Sequence, residues 1–224
     1  MRALGVVPAR AGSTRAPGKN LHRLGGTTLV RRALETSLAS GAFACVALSS
    51  DADEILAEAA GLNVVAVRRP PELATAGARV GDVVRHVLAE VEDDPFDAVV
   101  IVQATSPFTA PEDIAGTVRL LAESAADAAV SVVRLDAALH PAKLKRLEGD
   151  RLLPYLEDDR LTPSHELPPL WVRNGSVYAF RRDVAEAGIE SAADVRGYEM
   201  PPERSLDIDT PRDLALAELL FERG

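Results

Sequence analysis

Short apolar runs bounded by turn-forming residues alternate along most of this chain with longer stretches of helical spacing, and that alternation restricts the fold more than any other feature. Runs of Val, Ile and Ala without a polar residue at every second position suit strands buried on both faces. The amphipathic stretches between them suit covering helices, so the pattern is that of βαβ units around a mostly parallel sheet. Strands are expected at 3–8, 44–49, 63–67, 97–102, 128–133 and 171–180. The run 97–102 is the most continuous and reads as the central strand. Helices are expected at 28–40, 51–60, 80–91, 111–123, 183–187 and 211–221. Leu29, Ala33, Thr36 and Leu38 give the first helix its apolar face, Val80, Val83, Val84, Val87, Leu88 and Val91 the third, and Leu214, Leu216, Leu219 and Leu220 the last. Asp51 with Glu54 three residues on has capping-box spacing, and Pro111 suits a first helical turn. From 135 to about 170 the pattern breaks into short pieces rich in charge and proline, a candidate insertion in a single domain spanning 1–224.

Composition narrows the partners. With 224 residues, 47% of them hydrophobic, the chain is large enough to bury a core, and disorder is not expected. A formal net charge of −9 argues against nucleic acid or an anionic membrane surface as a partner, while leaving room for a small phosphate ligand held by local positive charge. The single Cys45, set in an apolar run, reads as a buried, inert thiol. The N-terminal apolar run is too short for a signal peptide, and no stretch approaches 18 uninterrupted apolar residues, so a cytoplasmic protein is expected.

Two stretches carry candidate chemistry. The first strand opens into Pro8-Ala9-Arg10-Ala11-Gly12-Ser13-Thr14-Arg15-Ala16-Pro17-Gly18-Lys19-Asn20. Its glycines let backbone N–H groups turn toward an anion, and Arg10, Arg15 and Lys19 add positive charge, although the spacing is not that of a Walker A loop. Near the other end, Asp207 and Asp209 stand two apart before a helix. In extended backbone both carboxylates share a face opposite Leu206 and Ile208, an arrangement suited to Mg²⁺ and its hydrated, phosphate-sharing shell. Each has a plainer reading: Arg10 and Lys19 as solvated loop charges, and Asp209 or Thr210 as the cap of the helix starting at Pro211. Gln103, Thr105 and Ser106 follow the central strand, at the edge where open α/β sheets bind ligands; a strand-end cap is the plainer role for Gln103. Asn174-Gly175 reads equally as a tight turn or an acceptor site.

The first loop, with Val102-Gln103-Ala104-Thr105-Ser106-Pro107, Arg173-Asn174-Gly175-Ser176-Val177-Tyr178 and Ser205-Leu206-Asp207-Ile208-Asp209 in order, resembles the acylneuraminate cytidylyltransferase (CMP-sialic acid synthetase) family over nearly the full chain. The resemblance implies a three-layer, Rossmann-like nucleotidyltransferase fold (GT-A-like) with a mostly parallel sheet. It also implies a homodimer in which the insertion at 135–170 exchanges contacts with the second subunit, and Mg²⁺-dependent transfer of CMP from CTP to a sugar acid with release of pyrophosphate. It assigns Arg10 and Lys19 to the triphosphate, and Ala9, Gly12, Ser13, Arg15, Asn20 and Arg69 to the nucleotide. Gln103, Thr105, Ser106, Arg173 and Asn174 fall to the acceptor, Asp207 and Asp209 to the metal, and Arg10, Lys19 and Asp209 to catalysis. His140-Pro141 also matches a dipeptide of that family's insertion.

The chain departs from the family pattern at Thr14, where Lys is common, and at Thr109 and Val172, where Arg is usual. CMP-KDO synthetases share the form of the first loop but carry an acidic residue where Thr105 stands, which favours the acylneuraminate branch. The alternatives left open are KDO, a phosphonate or another acidic acceptor, and a catalytically weakened nucleotide-sensing protein.

Overall fold

A computed structural model describes residues 1–12, 16–75, 77–91, 95–156 and 163–223. In chain order the elements are β1 (Ala3–Pro8), β2 (Arg23–Leu24), β3 (Thr27–Thr28), α1 (Leu29–Ala39), β4 (Cys45–Ser50), α2 (Asp53–Leu56), β5 (Val65–Arg68), α3 (Val80–Glu90), β6 (Ala98–Val102), α4 (Pro111–Glu123), β7 (Ala128–Arg134), β8 (Lys145–Glu148), β9 (Arg151–Pro154), β10 (Trp171–Arg181), α5 (Arg182–Ala187), β11 (Val195–Glu199) and α6 (Pro211–Arg223). Seven strands form one sheet in the order β11-β7-β10-β6-β1-β4-β5. Pairing is parallel except along β10, which runs antiparallel to both β6 and β7. The mostly parallel three-layer α/β fold is therefore as expected, with one reversed strand beside its centre.

The two sheet faces bury separate cores. On one face, Val7, Leu48, Val100, Val102 and Val177 pack with α1, α2 and α4 through Leu34, Ile55, Ile114 and Leu121. On the other, Val6, Val99, Ile101 and Phe180 pack with α3 and α5 through Val84, Val87, Val184 and Ala185. Burial of this kind contributes about 25 cal/mol per Å² of apolar surface and holds the strand ends that carry the site. All five residues of β6 are buried, as a central strand requires. A third, small core of Leu24, Leu29, Ile208 and Ala217 joins α6 and the acidic segment to the loop after β1. The two ends of the chain meet there.

Several local expectations change. Asp51 caps no helix: α2 begins at Asp53 with Ala52 as its cap residue and no side-chain cap bond, and it tightens into a 3-10 turn at Ala57–Ala59. The Asp51 carboxylate instead accepts the Ala11 N–H at 3.0 Å. Helix α1 buries Leu29, Val30, Ala33, Leu34 and Ser37, so its inward face is turned from the one expected, and Ser37 satisfies its hydroxyl on the Ala33 carbonyl at 2.7 Å. In α6 only Ala217 is buried, while Leu216, Leu219 and Leu220 are exposed. Strand β11 has no apolar alternation to announce it, being a largely exposed edge paired to β7. Cys45 is half-buried rather than buried. Within the span 135–170, β8 and β9 form a hairpin, with Leu147 and Leu152 about two-thirds exposed.

Candidate active site

The edge where β1 and β6 end gathers groups far apart in sequence. The loop after β1 turns through Gly18 at φ +71° into a 3-10 turn at Lys19–Leu21. Buried Asn20 donates to the Arg10 carbonyl at 2.9 Å, pinning the two arms of the loop together. Lys19, largely enclosed, donates through Nζ to the Ile208 carbonyl at 2.6 Å and pairs with Asp209 Oδ1 at 3.2 Å. Arg10, Lys19, Asn20, Gln103, Thr105, Asp207 and Asp209 all line one cleft of about 300 Å³, with Pro8, Gly175 and Tyr178 completing it. Ala9 lies beneath it, buried and bonded from its N–H to the Ser49 carbonyl at 2.9 Å. Gly12 is exposed, and Ser13 and Arg15 lie outside the described residues.

The acidic segment is held by bonds that leave its carboxylates toward the cleft. Ile208 is fully buried and its N–H donates to the Thr105 carbonyl at 2.8 Å, placing Asp207 and Asp209 on the opposite side, as an extended chain does. Thr210, one of the two expected caps, caps α6 reciprocally with Asp213. Thr210 Oγ1 accepts the Asp213 N–H at 3.3 Å, while Asp213 Oδ2 accepts from the Asp209 N–H at 3.1 Å, the Thr210 N–H at 2.8 Å and the Thr210 hydroxyl at 2.8 Å. Chiefly the Thr210 hydroxyl, and then those two N–H groups, hold the Asp213 carboxyl below its ordinary 3.8. One turn upstream, Arg204 grips fully buried Asp113 with two bonds of 2.8 Å, and Asp113 also accepts the Ala110 N–H at 2.9 Å. Hydrogen bonding to Asp113 first, opposed by burial, raises the Arg204 pKa.

Strand β10 supplies the third wall through a bulge between Arg173 and Tyr178. Gly175 there has φ +82°, and a methyl group in its place would lie 2.8 Å from Asp207 Oδ2, so the backbone is cradling that carboxylate. Asn174 lies outside the lining of the cleft. It is buried, accepts from the Ser131 hydroxyl at 2.6 Å, and donates to Ser205 Oγ at 2.9 Å and Met200 Sδ at 3.2 Å. Its place is in a polar chain tying β7 and β10 to the residue two before Asp207, outside the lining of either cavity. Ser106 likewise lies away from the cleft, buried on the α1 side of the sheet with Arg32 and Thr36.

Arg69 is buried and anchored by Nη2 to the Ser49 carbonyl at 2.9 Å. Burial lowers its pKa, Asp51 opposes that, and the like charge of Arg10 adds to it, which places all three groups in one electrostatic neighbourhood. Arg173 is not in this cleft but lines a second cavity of about 440 Å³, which shares Gln103 and Tyr178 with the first. Tyr178, absent from the expected site although it ends the Asn-Gly-Ser-Val-Tyr motif, forms the partition. Burial raises its phenol pKa above 10.0, Arg173 opposes, and Asp207 adds to the rise. His22, beside the loop, contacts Glu218 Oε1 at 2.9 Å. His140 accepts the Ala142 N–H at 3.2 Å through Nδ1.

Two carboxylates beside two cations at a sheet edge can order a polyphosphate and a hard divalent ion. Among the described residues no group of three or more His, Cys, Asp or Glu forms a complete protein cage for a metal, and none of the helices is long and apolar enough to cross a membrane. Comparison with known proteins identifies the family. The chain is 33% identical over 235 aligned positions to CMP-N,N'-diacetyllegionaminic acid synthase of Legionella pneumophila, covering 99% of this chain and 97% of that protein. It is 30% identical to N-acylneuraminate cytidylyltransferase A of Danio rerio over 95% of this chain, which spans about half (49%) of that longer relative. The solved structure of CMP:2-keto-3-deoxy-manno-octonic acid synthetase complexed with CTP shares the fold, with TM-score 0.74, 22% identity, and coverage of 100% of this chain and 99% of that one. The family model for cytidylyltransferase matches residues 4–222. The chain therefore belongs to the cytidylyltransferase family and is a nucleotidyltransferase.

Proposed function

We propose that this enzyme transfers CMP from CTP to the anomeric hydroxyl of a sugar acid, with Mg²⁺ held at Asp207 and Asp209. The observation that carries the reading is the cleft itself, where Arg10 and Lys19 from one end of the chain face Asp207 and Asp209 from the other. In the reaction the anomeric oxygen bonds to the α-phosphorus, the bond from that phosphorus to the bridging oxygen breaks, pyrophosphate leaves, and the hydroxyl proton is released. Arg10 and Lys19 neutralise charge on the triphosphate, and their rigid placement costs no reorganisation during the reaction. Asn20 and the Ile208 carbonyl keep the loop and Lys19 fixed for that task. Bound Mg²⁺ supplies further neutralisation of phosphate oxygens and of the departing pyrophosphate. Two hard carboxylate donors, one seated against the bare backbone of Gly175, fit such an ion, which keeps waters and phosphate oxygens in the rest of its shell. Arg173, with its fork of donors, suits the acceptor's carboxylate in the adjoining cavity, and Gln103 sits where donor and acceptor must meet.

The relatives named as CMP-legionaminic acid synthase and N-acylneuraminate cytidylyltransferase support a sugar acid as acceptor. The exposed apolar side chains Leu139, Leu144, Leu147, Leu152 and Tyr155 support the insertion as the seam of a homodimer. The absence of any long apolar helix among the described residues is compatible with a cytoplasmic enzyme.

Pyrophosphate release, measured with CTP, UTP, ATP and GTP against N-acetylneuraminate, KDO and a phosphonate with and without Mg²⁺, tests the reading. Release with CTP and a sugar acid that stops on chelation is expected. Release that ignores chelation removes the metal assignment, and release with none of the sugar acids overturns the acceptor class.

A further inference from the structure

Asp207 and Asp209 lie in a segment, 205–209, that belongs to neither a strand nor a helix. Regular backbone pairing therefore does not fix where the two carboxylates point, and the task falls to individual bonds. The Ile208 N–H, donating to the Thr105 carbonyl, ties the middle of the segment to the turn that follows β6. Thr210 with Asp213 closes its downstream end on α6. Arg204 holds its upstream end.

Arg204 reaches that place along a constrained path. Strand β11 ends at Glu199, the Met200 N–H donates to the Val132 carbonyl at 2.8 Å, and a 3-10 turn at Pro202–Arg204 follows. The Ser205 hydroxyl donates back to the Pro201 carbonyl at 2.9 Å. From this turn Arg204 reaches 91 positions back to Asp113, the third residue of α4, and donates through Nε and Nη2 to its two carboxylate oxygens. Asp113 is fully buried, and by accepting the Ala110 N–H it also caps the helix that begins just beyond the turn after β6. Gly116 leaves room on α4 for the Tyr198 ring, which lies beside the pair.

Burying a carboxylate against a guanidinium adds little net stability, because the desolvation it costs offsets the attraction. What a two-pronged Arg–carboxylate pair does supply is a fixed distance and plane between the elements it joins. Here those elements are the start of α4, continuous with Gln103 and Thr105 of the cleft, and the residue three before Asp207. Resting on the reading that Mg²⁺ sits at Asp207 and Asp209, we infer that Arg204 and Asp113 are a positioning pair for that site. The clasp holds the acidic segment in register with the turn after β6, so that the two metal ligands are preformed.

Arg204→Lys, which keeps the charge and loses the fork, tests this with two readouts, one of them independent of metal and turnover. Amide exchange in the unliganded protein is expected to quicken about tenfold at the Ile208 N–H, with a smaller change at the Val100 N–H inside β6. In steady-state pyrophosphate release, the Mg²⁺ concentration for half-maximal rate rises about tenfold. Ile114→Val, which loosens α4 through its core instead, leaves that concentration at the wild-type value. Exchange that rises equally at Ile208 and Val100 means that the pair only supports the fold, and overturns the inference. So does unchanged exchange at Ile208, a wild-type Mg²⁺ dependence in Arg204→Lys, or an equal shift in Ile114→Val. If Arg204→Lys does not fold, the double replacement Arg204→Gln with Asp113→Asn, which leaves neither group charged and unpaired, takes its place, and the same results count the same way. A wild type whose pyrophosphate release ignores Mg²⁺ overturns the metal reading, and this inference with it.

Discussion

The two joined cavities contrast in size, lining and origin. The charged cleft, about 300 Å³, is walled by Arg10, Lys19, Asp207 and Asp209, which lie in short motifs near opposite chain ends. The second cavity, about 440 Å³, is walled mainly by apolar side chains drawn from α3, β6, β7, β10 and the segment through Val195. A polyphosphate needs particular charges at particular spacings, and local sequence carries that demand. An apolar wall needs only side chains of suitable size left uncovered where a sheet and a helix diverge, and no short motif specifies it. On the proposed reading the first cavity serves the chemistry and the second the choice of acceptor.

Damage to the first should fall on turnover and damage to the second on acceptor choice. Lys19→Ala should have the largest effect, removing a cation of the cleft together with the bond to the Ile208 carbonyl. A loss on the order of 10²- to 10³-fold in kcat is expected, with about 1 kcal/mol of stability. Unchanged pyrophosphate release with every acceptor would break the contrast. Gly175→Ala comes next. It forces a side chain into left-handed backbone against Asp207, costs about 1–2 kcal/mol in thermal unfolding, and should raise the Mg²⁺ concentration needed for half-maximal rate. An unaltered Mg²⁺ dependence would show that Asp207 tolerates displacement.

Asn174→Ala sharpens the comparison from within the partition. It leaves Ser131 and Ser205 without their buried partner and should cost about 1–3 kcal/mol of stability, lowering kcat more than it raises KM for acceptor. A change confined to acceptor KM would restore Asn174 as a ligand contact. The smallest effect is expected from Asp213→Asn. Because hydrogen bonds depress the folded-state pKa of Asp213, its contribution is present above the ordinary 3.8 and is lost as pH falls below that value through the depressed one. The variant should show a shallower loss of melting temperature across that acid window, and an identical profile would remove Asp213 from the account.

The loop after β1 and the acidic pair were legible because local geometry sets where their residues lie. Lys19 and Asp209 meet as the sequence motifs imply, and Ile208 turns inward while its neighbours face the cleft. Asn174 and Ser106 lie in equally suggestive motifs, yet partners such as Ser131, 43 positions away, decide where Asn174 points. Asp51 shows the same limit, since its spacing fits a helix cap but the Ala11 N–H, 40 positions away, claims its carboxylate. The reversed direction of β10 and the edge strand β11 are matters of pairing, which no single segment encodes. Helix periodicity located α1 but placed Thr36 inside, where Ser37 is buried by folding its hydroxyl back onto Ala33.

A crystal structure with CTP and Mg²⁺ tests the central claim most directly. The account predicts the triphosphate against Arg10 and Lys19, with a metal ion about 2.0–2.1 Å from oxygens of Asp207 and Asp209. A triphosphate bound elsewhere, or a metal held without either aspartate, would contradict it.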